Sequence, residues 1–187
     1  MAKFKGSVYE STRAFVQKEF GVVGVESILN ALPSADRQLL SSTTAIAWVP
    51  VEPVLRFHHE LERQFGNGDM SVCVRAGQFS AGWSMNSVLK MFVRLRSPRW
   101  LFDKGTSVWN RYHDSGRWEL DPAEETLRMS GKLVGFEVRD PHFCARLRGW
   151  LQGAVELTGG TRAVASESRC RCRGHDHCSY AATWQAG

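Results

Sequence analysis

Residues 141–184 read PHFCARLRGWLQGAVELTGGTRAVASESRCRCRGHDHCSYAATW, and this stretch decides the fold. Asp140-Pro141 opens a helix, since proline suits the first helical turn, and the helix runs to about Leu157 before Gly159-Gly160 stops it. Arg162 to Glu167 and Cys178 to Trp184 then read as strands, with Gly174 turning between them. One helix leading into one hairpin is a small α/β unit. Four of the five cysteines of the chain fall between Cys144 and Cys178, inside that unit.

The hairpin brings chemistry together. Glu167 and Cys170 lie near the end of one strand, and Cys178 begins the next across a short basic loop. Cys144 sits near the start of the preceding helix, where the dipole and nearby arginines favour thiolate. Three thiolates and a carboxylate form a closed tetrahedral set that suits Zn²⁺, and with no open position the ion is structural, not catalytic. Cys172, His175 and His177 are close enough in sequence to compete for a place in the set. The bland reading of the same cysteines is small buried hydrophobes, which is also the better reading of Cys73.

Working outward, the residues before the unit keep a strand-like period. Val108 to His113, Arg117 to Leu120, Thr126 to Met129 and Leu133 to Val138 read as short strands, with turns at Asp114-Ser115-Gly116 and Ser130-Gly131-Lys132. The first half reads helical instead. Glu10 to Phe20 is interrupted by Gly21 and Gly24, Val25 to Leu32 is closed by Pro33, and Ser34 is placed to cap a third helix. Trp48-Val49-Pro50 is an extended link. Helices follow at Val51 to Phe65, Met70 to about Trp83, and Ser84 to about Leu95, and Ser97-Pro98 starts a turn. The pattern is α+β: a helical portion over 1–105 packed on a mostly antiparallel sheet over 106–187, expected to form one domain.

Composition bounds the function. The 187 residues are 43% hydrophobic and 23% charged, the profile of a folded protein with a real core. No apolar run approaches the roughly 20 residues of a membrane helix, and MAKFKGSVYE carries no apolar signal region, so a cytoplasmic protein is expected without a disulfide framework. The net charge of +5 is partly local, with Arg162, Arg169, Arg171 and Arg173 in one loop-and-strand region. No nucleic-acid motif accompanies it, so a solvated face is the better reading than nucleic-acid binding.

Aromatic residues crowd the middle of the chain. Phe79, Trp83, Phe92, Trp109 and Tyr112 are candidate walls of an apolar ligand pocket, with Tyr112, His113 and Asn86 as its polar groups. Taken singly, most of them are better read as an ordinary core between helices and sheet. Enzyme motifs are missing. His58-His59-Glu60 has Arg63 where a zincin needs its second histidine, Gly66-Asn67-Gly68-Asp69 lacks the Lys-Ser/Thr of a phosphate loop, and Ser80, Ser84 and Ser87 lack a nucleophile-elbow context. The chain is therefore expected not to be an enzyme.

Glu-x2-Cys-x7-Cys with a helical cysteine 23 residues upstream resembles the metal site of the 4-vinyl-reductase-like domain, the effector-binding part of phenol-sensing activators. The segments KGSVYESTRAFV, LPSADRQLL, WVPVEPVLRF, GNGD, LRSPRWLF, VWNRYHDSGRWEL and the tail from Leu157 to Trp184 are similar to a myxobacterial-type family that ends in such a segment. The resemblance implies the α/β fold shared with small subunits of vesicle-tethering (TRAPP) complexes. It also implies a zinc ion on Cys144, Glu167, Cys170 and Cys178, and a homodimer with helices at the contact. The expected function is a small-molecule sensor for an apolar or aromatic ligand, signalling through a partner protein. The alternative is a tethering-type interaction scaffold.

Overall fold

A computed structural model describes residues 2–83, 93, 96–122 and 126–186. The helix expected at Ser84–Leu95 and the pocket residues Asn86 and Phe92 lie outside the described residues.

The chain begins with strand β1 (Lys3–Lys5), which pairs antiparallel with β2 (Trp48–Pro50), Phe4 opposite Val49. Trp48-Val49-Pro50 is thus a strand and not a bare link; β1 is too short for a periodic signal, and its pairing rests on the complete burial of Phe4. Helix α1 (Gly6–Ala31) runs through both glycines that were expected to end it. Gly21, at φ 74° and ψ −179°, absorbs the break as a kink, a conformation open to glycine alone. Helix α2 (Ser34–Ser42) follows, with Pro33 and not Ser34 at its cap. Helix α3 (Val51–Phe65) buries Val54, Phe57, His58 and Leu61, one face at helical spacing.

Helix α4 (Ser71–Trp83) crosses helix α7 (Pro141–Leu157) backbone against backbone. A Cβ on Gly77 would lie 1.9 Å from Arg146 O, and one on Gly149 would lie 1.9 Å from Val74 O. Only glycine permits that approach. The start of α7 is fixed by Asp140, whose Oδ1 accepts from Phe143 N at 2.8 Å, with Pro141 in the first turn. The other Asp140 oxygen is 2.5 Å from His59 Nε2, which ties α3 to the cap.

Between α4 and the sheet stand two short helices, α5 (Pro98–Asp103) and α6 (Gly105–Trp109). Val108–His113 was expected to be a strand; it is the end of α6 and a turn. Trp109 and His113, four residues apart, stack at 3.6 Å on the inner side of that turn. Strands β3 (Arg117–Leu120), β4 (Arg128–Val134), β5 (Thr161–Arg169) and β6 (Cys178–Gln185) form one antiparallel sheet in the order β3-β4-β6-β5. The two strands expected on either side of Ser130-Gly131-Lys132 are one strand. Gly131 serves a close strand approach, because a Cβ there would meet Glu119 O at 2.9 Å. Cys178, Tyr180, Ala182 and Trp184 of β6 alternate into the interior, as a half-buried strand requires. Helices first, then an antiparallel sheet carrying one late helix: the α+β architecture read from the sequence is present.

Candidate functional site

Two sites flank α7. The first is a cavity of about 70 Å³ bounded by α1, α4, α5, α6, α7 and β3. Its walls are mainly apolar, among them Phe102, Trp109, Trp118, Phe143, Leu147 and Trp150. Of the residues expected to line a pocket, Trp83, Trp109 and Tyr112 do. Phe79 does not; it packs against Phe15 and borders a shallow depression beside Trp83.

The cavity also has a polar corner. Arg146 is 6% exposed, on the face of α7 that carries Phe143, Leu147 and Trp150. Its Nε donates to Thr12 Oγ1 at 3.0 Å, and Nη2 donates to Ser11 Oγ (3.0 Å), Ser80 Oγ (2.9 Å) and Val8 O (3.2 Å). All four partners are neutral. Burial pulls the guanidinium down to about 10, and among the described residues the thiol of Cys73 offsets part of that loss. The charge also keeps nearby imidazoles neutral. His58, 3.3 Å from Thr12 Oγ1, is held well below the usual range by burial and then by Arg146. Burial pushes His113 down to about 3. Sequence reading missed Arg146, yet a signal was there: it lies three residues after Phe143 and four before Trp150, inside the apolar stripe of its helix.

The second site is the thiol cluster. Ligand atoms of Cys144, Glu167, Cys170 and Cys178 all lie within 4.8 Å of one another, with Cys170 Sγ 3.8 Å from Cys144 Sγ. Cys144 comes from the first turn of α7. Glu167 and Cys170 come from the end of β5, where a bulge between Glu167 and Arg169 shifts the register, and Cys178 starts β6. The three thiols are buried, and Glu167 Oε1 is buried without a hydrogen-bond partner. Cys144 shares its proton with Cys178, which brings the Cys178 thiol down to about 6, while burial raises Cys170 to about 12. The sequence-level competitors fall outside: Cys172 is exposed, His175 Nδ1 lies against the backbone of Cys170, and His177 pairs with Asp176.

A scan against family models and a search of curated proteins return no match. Solved structures do match, over nearly the whole chain. The Fe(II) unliganded H-NOX protein from K. algicida has a TM-score of 0.72 at 9% identity, covering 98% of this chain and 97% of that one. The H-NOX protein from S. oneidensis in the Fe(II)NO ligation state has a TM-score of 0.72 at 15% identity, covering 97% and 99%. The fold is the H-NOX fold. The phenol-responsive sensory domain of the transcription activator PoxR also matches, at a TM-score of 0.56 and 13% identity over 76% of this chain.

Two expectations are corrected here. The vinyl-reductase-like and tethering-subunit fold assignment gives way to the H-NOX fold, whose structures match over nearly the whole chain. The structural Zn²⁺, expected from the four-residue set and from that resemblance, is withdrawn with it, since the H-NOX neighbours carry iron. The H-NOX fold implies a haem, which needs an axial donor and room for a macrocycle. His113 is the one histidine lining the cavity. Its Nδ1 is 3.2 Å from Trp109 O and its Nε2 is buried without a partner, the arrangement of a ligating imidazole. But the ring is stacked on Trp109 at 3.6 Å and enclosed by Phe4, Phe136 and Phe143 at 5.2, 5.8 and 5.6 Å. The cavity, about 70 Å³, falls well short of the roughly 300 Å³ at which drug-sized pockets begin. These residues do not fit a haem.

Proposed function

We propose that the chain is a non-enzymatic sensor or binding domain of H-NOX fold that takes a small ligand into the cavity beside α7 and relays occupancy to a partner protein. The observation that carries this reading is the cavity itself: apolar walls from six elements, with a few polar groups gathered at one corner. Its volume is about half of the roughly 150 Å³ engineered cavity that admits benzene, so the ligand has only a few heavy atoms. Trp83, Trp109, Trp118 and Trp150 border the space, and their indole signals report occupancy directly. The test is a panel of small alcohols, amides and acids, read by thermal shift and by indole ¹H–¹⁵N shifts. Saturable changes in the cavity tryptophans are expected. A protein inert to the whole panel refutes the reading.

The reading includes a supporting role for the thiol cluster. Cys144, Glu167, Cys170 and Cys178 join the start of α7 to the β5–β6 hairpin and so brace the helix that carries Arg146. Cys170→Ser and Cys178→Ser are expected to lower the melting temperature by several degrees. Variants of undiminished stability remove that role. Relay needs a second protein; a mass measurement in solution tests whether a copy of this chain, as a homodimer, is that protein.

A further inference from the structure

The hydrogen bonds of Arg146 are one-sided. The Nε and Nη2 edge is fully used by Thr12, Ser11, Ser80 and Val8 O. Among the described residues Nη1 has no hydrogen-bond partner, and the side chain lines the cavity. The hydroxyls on the used edge cannot help a ligand: Ser11 and Ser80 direct their own protons to Val8 O and Ala76 O. Ser7 and Tyr112, whose hydroxyls make no hydrogen bond among the described residues, border the same space.

A guanidinium removed from water without a counter-charge is expensive to keep. Proteins meet that expense by pairing the cation, and no carboxylate among the described residues is near enough to do so. The fixed network on the other edge holds the fork in place, which is how a binding cation is preorganised and not how a surface arginine behaves. An anion entering the cavity meets Nη1–H donors that need no rearrangement, in surroundings where a charge-assisted hydrogen bond is strong. Behind the charge the walls are aromatic and aliphatic, so the remainder of the ligand is hydrocarbon.

We propose that the ligand is a short-chain monocarboxylate, its carboxylate paired with Arg146 and its alkyl tail against the aromatic wall. This rests on the cavity being the ligand site, and the experiment separates the two. Indole ¹H–¹⁵N titrations of the full chain are made with acetate and with its neutral match acetamide, whose four heavy atoms suit a cavity of about 70 Å³. Acetate is expected to bind at least tenfold more tightly. In Arg146→Met that preference collapses to within about twofold while acetamide still binds, and Arg146→Lys, which keeps a charge but loses the fork, falls between. The wild-type comparison needs no variant, so a misfolded variant leaves the result standing. Equal or tighter binding of acetamide overturns the carboxylate assignment and leaves the cavity as a ligand site for neutral molecules. Binding of neither overturns both.

Discussion

At the residue scale, the buried imidazoles set an acid limit on stability. His58 and His113 are held neutral by burial, His113 with its proton affinity lowered to about 3. Unfolded, each takes up a proton near the ordinary histidine value of about 6.5. Below that value the unfolded chain binds more protons than the folded one, so stability falls as pH drops from about 6.5 toward 3. Each group contributes about 1.4 kcal/mol per pH unit inside that window. Half-buried His142, lowered by burial and then by His59, adds in the same direction. Urea midpoints are expected to drop steadily between pH 6.5 and 5, above the range where carboxylates titrate, and His113→Phe should flatten the slope. A pH-independent midpoint over that interval contradicts the neutral, buried state. The thiol cluster was legible at this scale because its four residues are rare types at short spacing. Arg146 was legible only through its place in the apolar stripe of its helix, a weak signal because an arginine in a helix ordinarily reads as a surface residue.

At the element scale, the α4–α7 crossing is the most demanding contact in the fold. Gly149→Ala puts a methyl group where Val74 O stands, so the helices must move apart. The expected cost is about 3 kcal/mol, at the upper end of overpacking, read as a lowered urea midpoint at unchanged slope. Gly153 is less crowded, its nearest contact being Gln78 O at 2.7 Å, and Gly153→Ala should cost less. A neutral Gly149→Ala would mean that the helices sit farther apart. The elements that sequence reading missed share a physical reason. Val108–His113 has the aromatic and β-branched content of a strand, but it buries Trp109 and His113, one helical turn apart, on the same side. Gly21 and Gly131 read as stops because glycine breaks isolated elements; here tertiary contacts carry α1 through a kink and β4 through a close pairing. Helix α7 and strands β5 and β6 were legible because a proline, an aspartate cap and paired glycines mark their ends, and alternation marks β6.

At the scale of the whole molecule, an H-NOX fold encloses a cavity of about 70 Å³. A large core runs from Phe4 through Phe57 to Tyr180, and a smaller one joins Met129, Val155, Ala163, Ala182 and Trp184. Trp109, His113 and Phe143 line the inner side of the cavity, and Phe4 and Phe136 pack behind them. Titration with hemin is therefore expected to give no stoichiometric Soret shift, and His113→Ala no change in that result. A sharp Soret band lost in His113→Ala would show that the rings part to admit a macrocycle. The fold class followed from the order of elements, helical segments before strands. The choice among α+β folds did not, because at 9% to 15% identity a common architecture leaves too few shared residues to read.

The glycine crossing also has a mechanical meaning. Where backbone rests on backbone there are no rotamers to exchange and no side-chain layer to compress, so α4 and α7 behave as a stator. Any displacement made by a molecule entering beside Arg146 is directed away from that pair, into the short helices α5 and α6 and the front of α1. Past Gly21 the rear of α1, which presents Val22 and Val23 to solvent, sits across the kink from the driven segment. Hydrogen exchange on ligand addition should accordingly leave the amides of α4 and α7 unchanged and slow those of α5 and α6. The moving parts of this domain are then its shortest helices, and its longest contact is the anvil they work against.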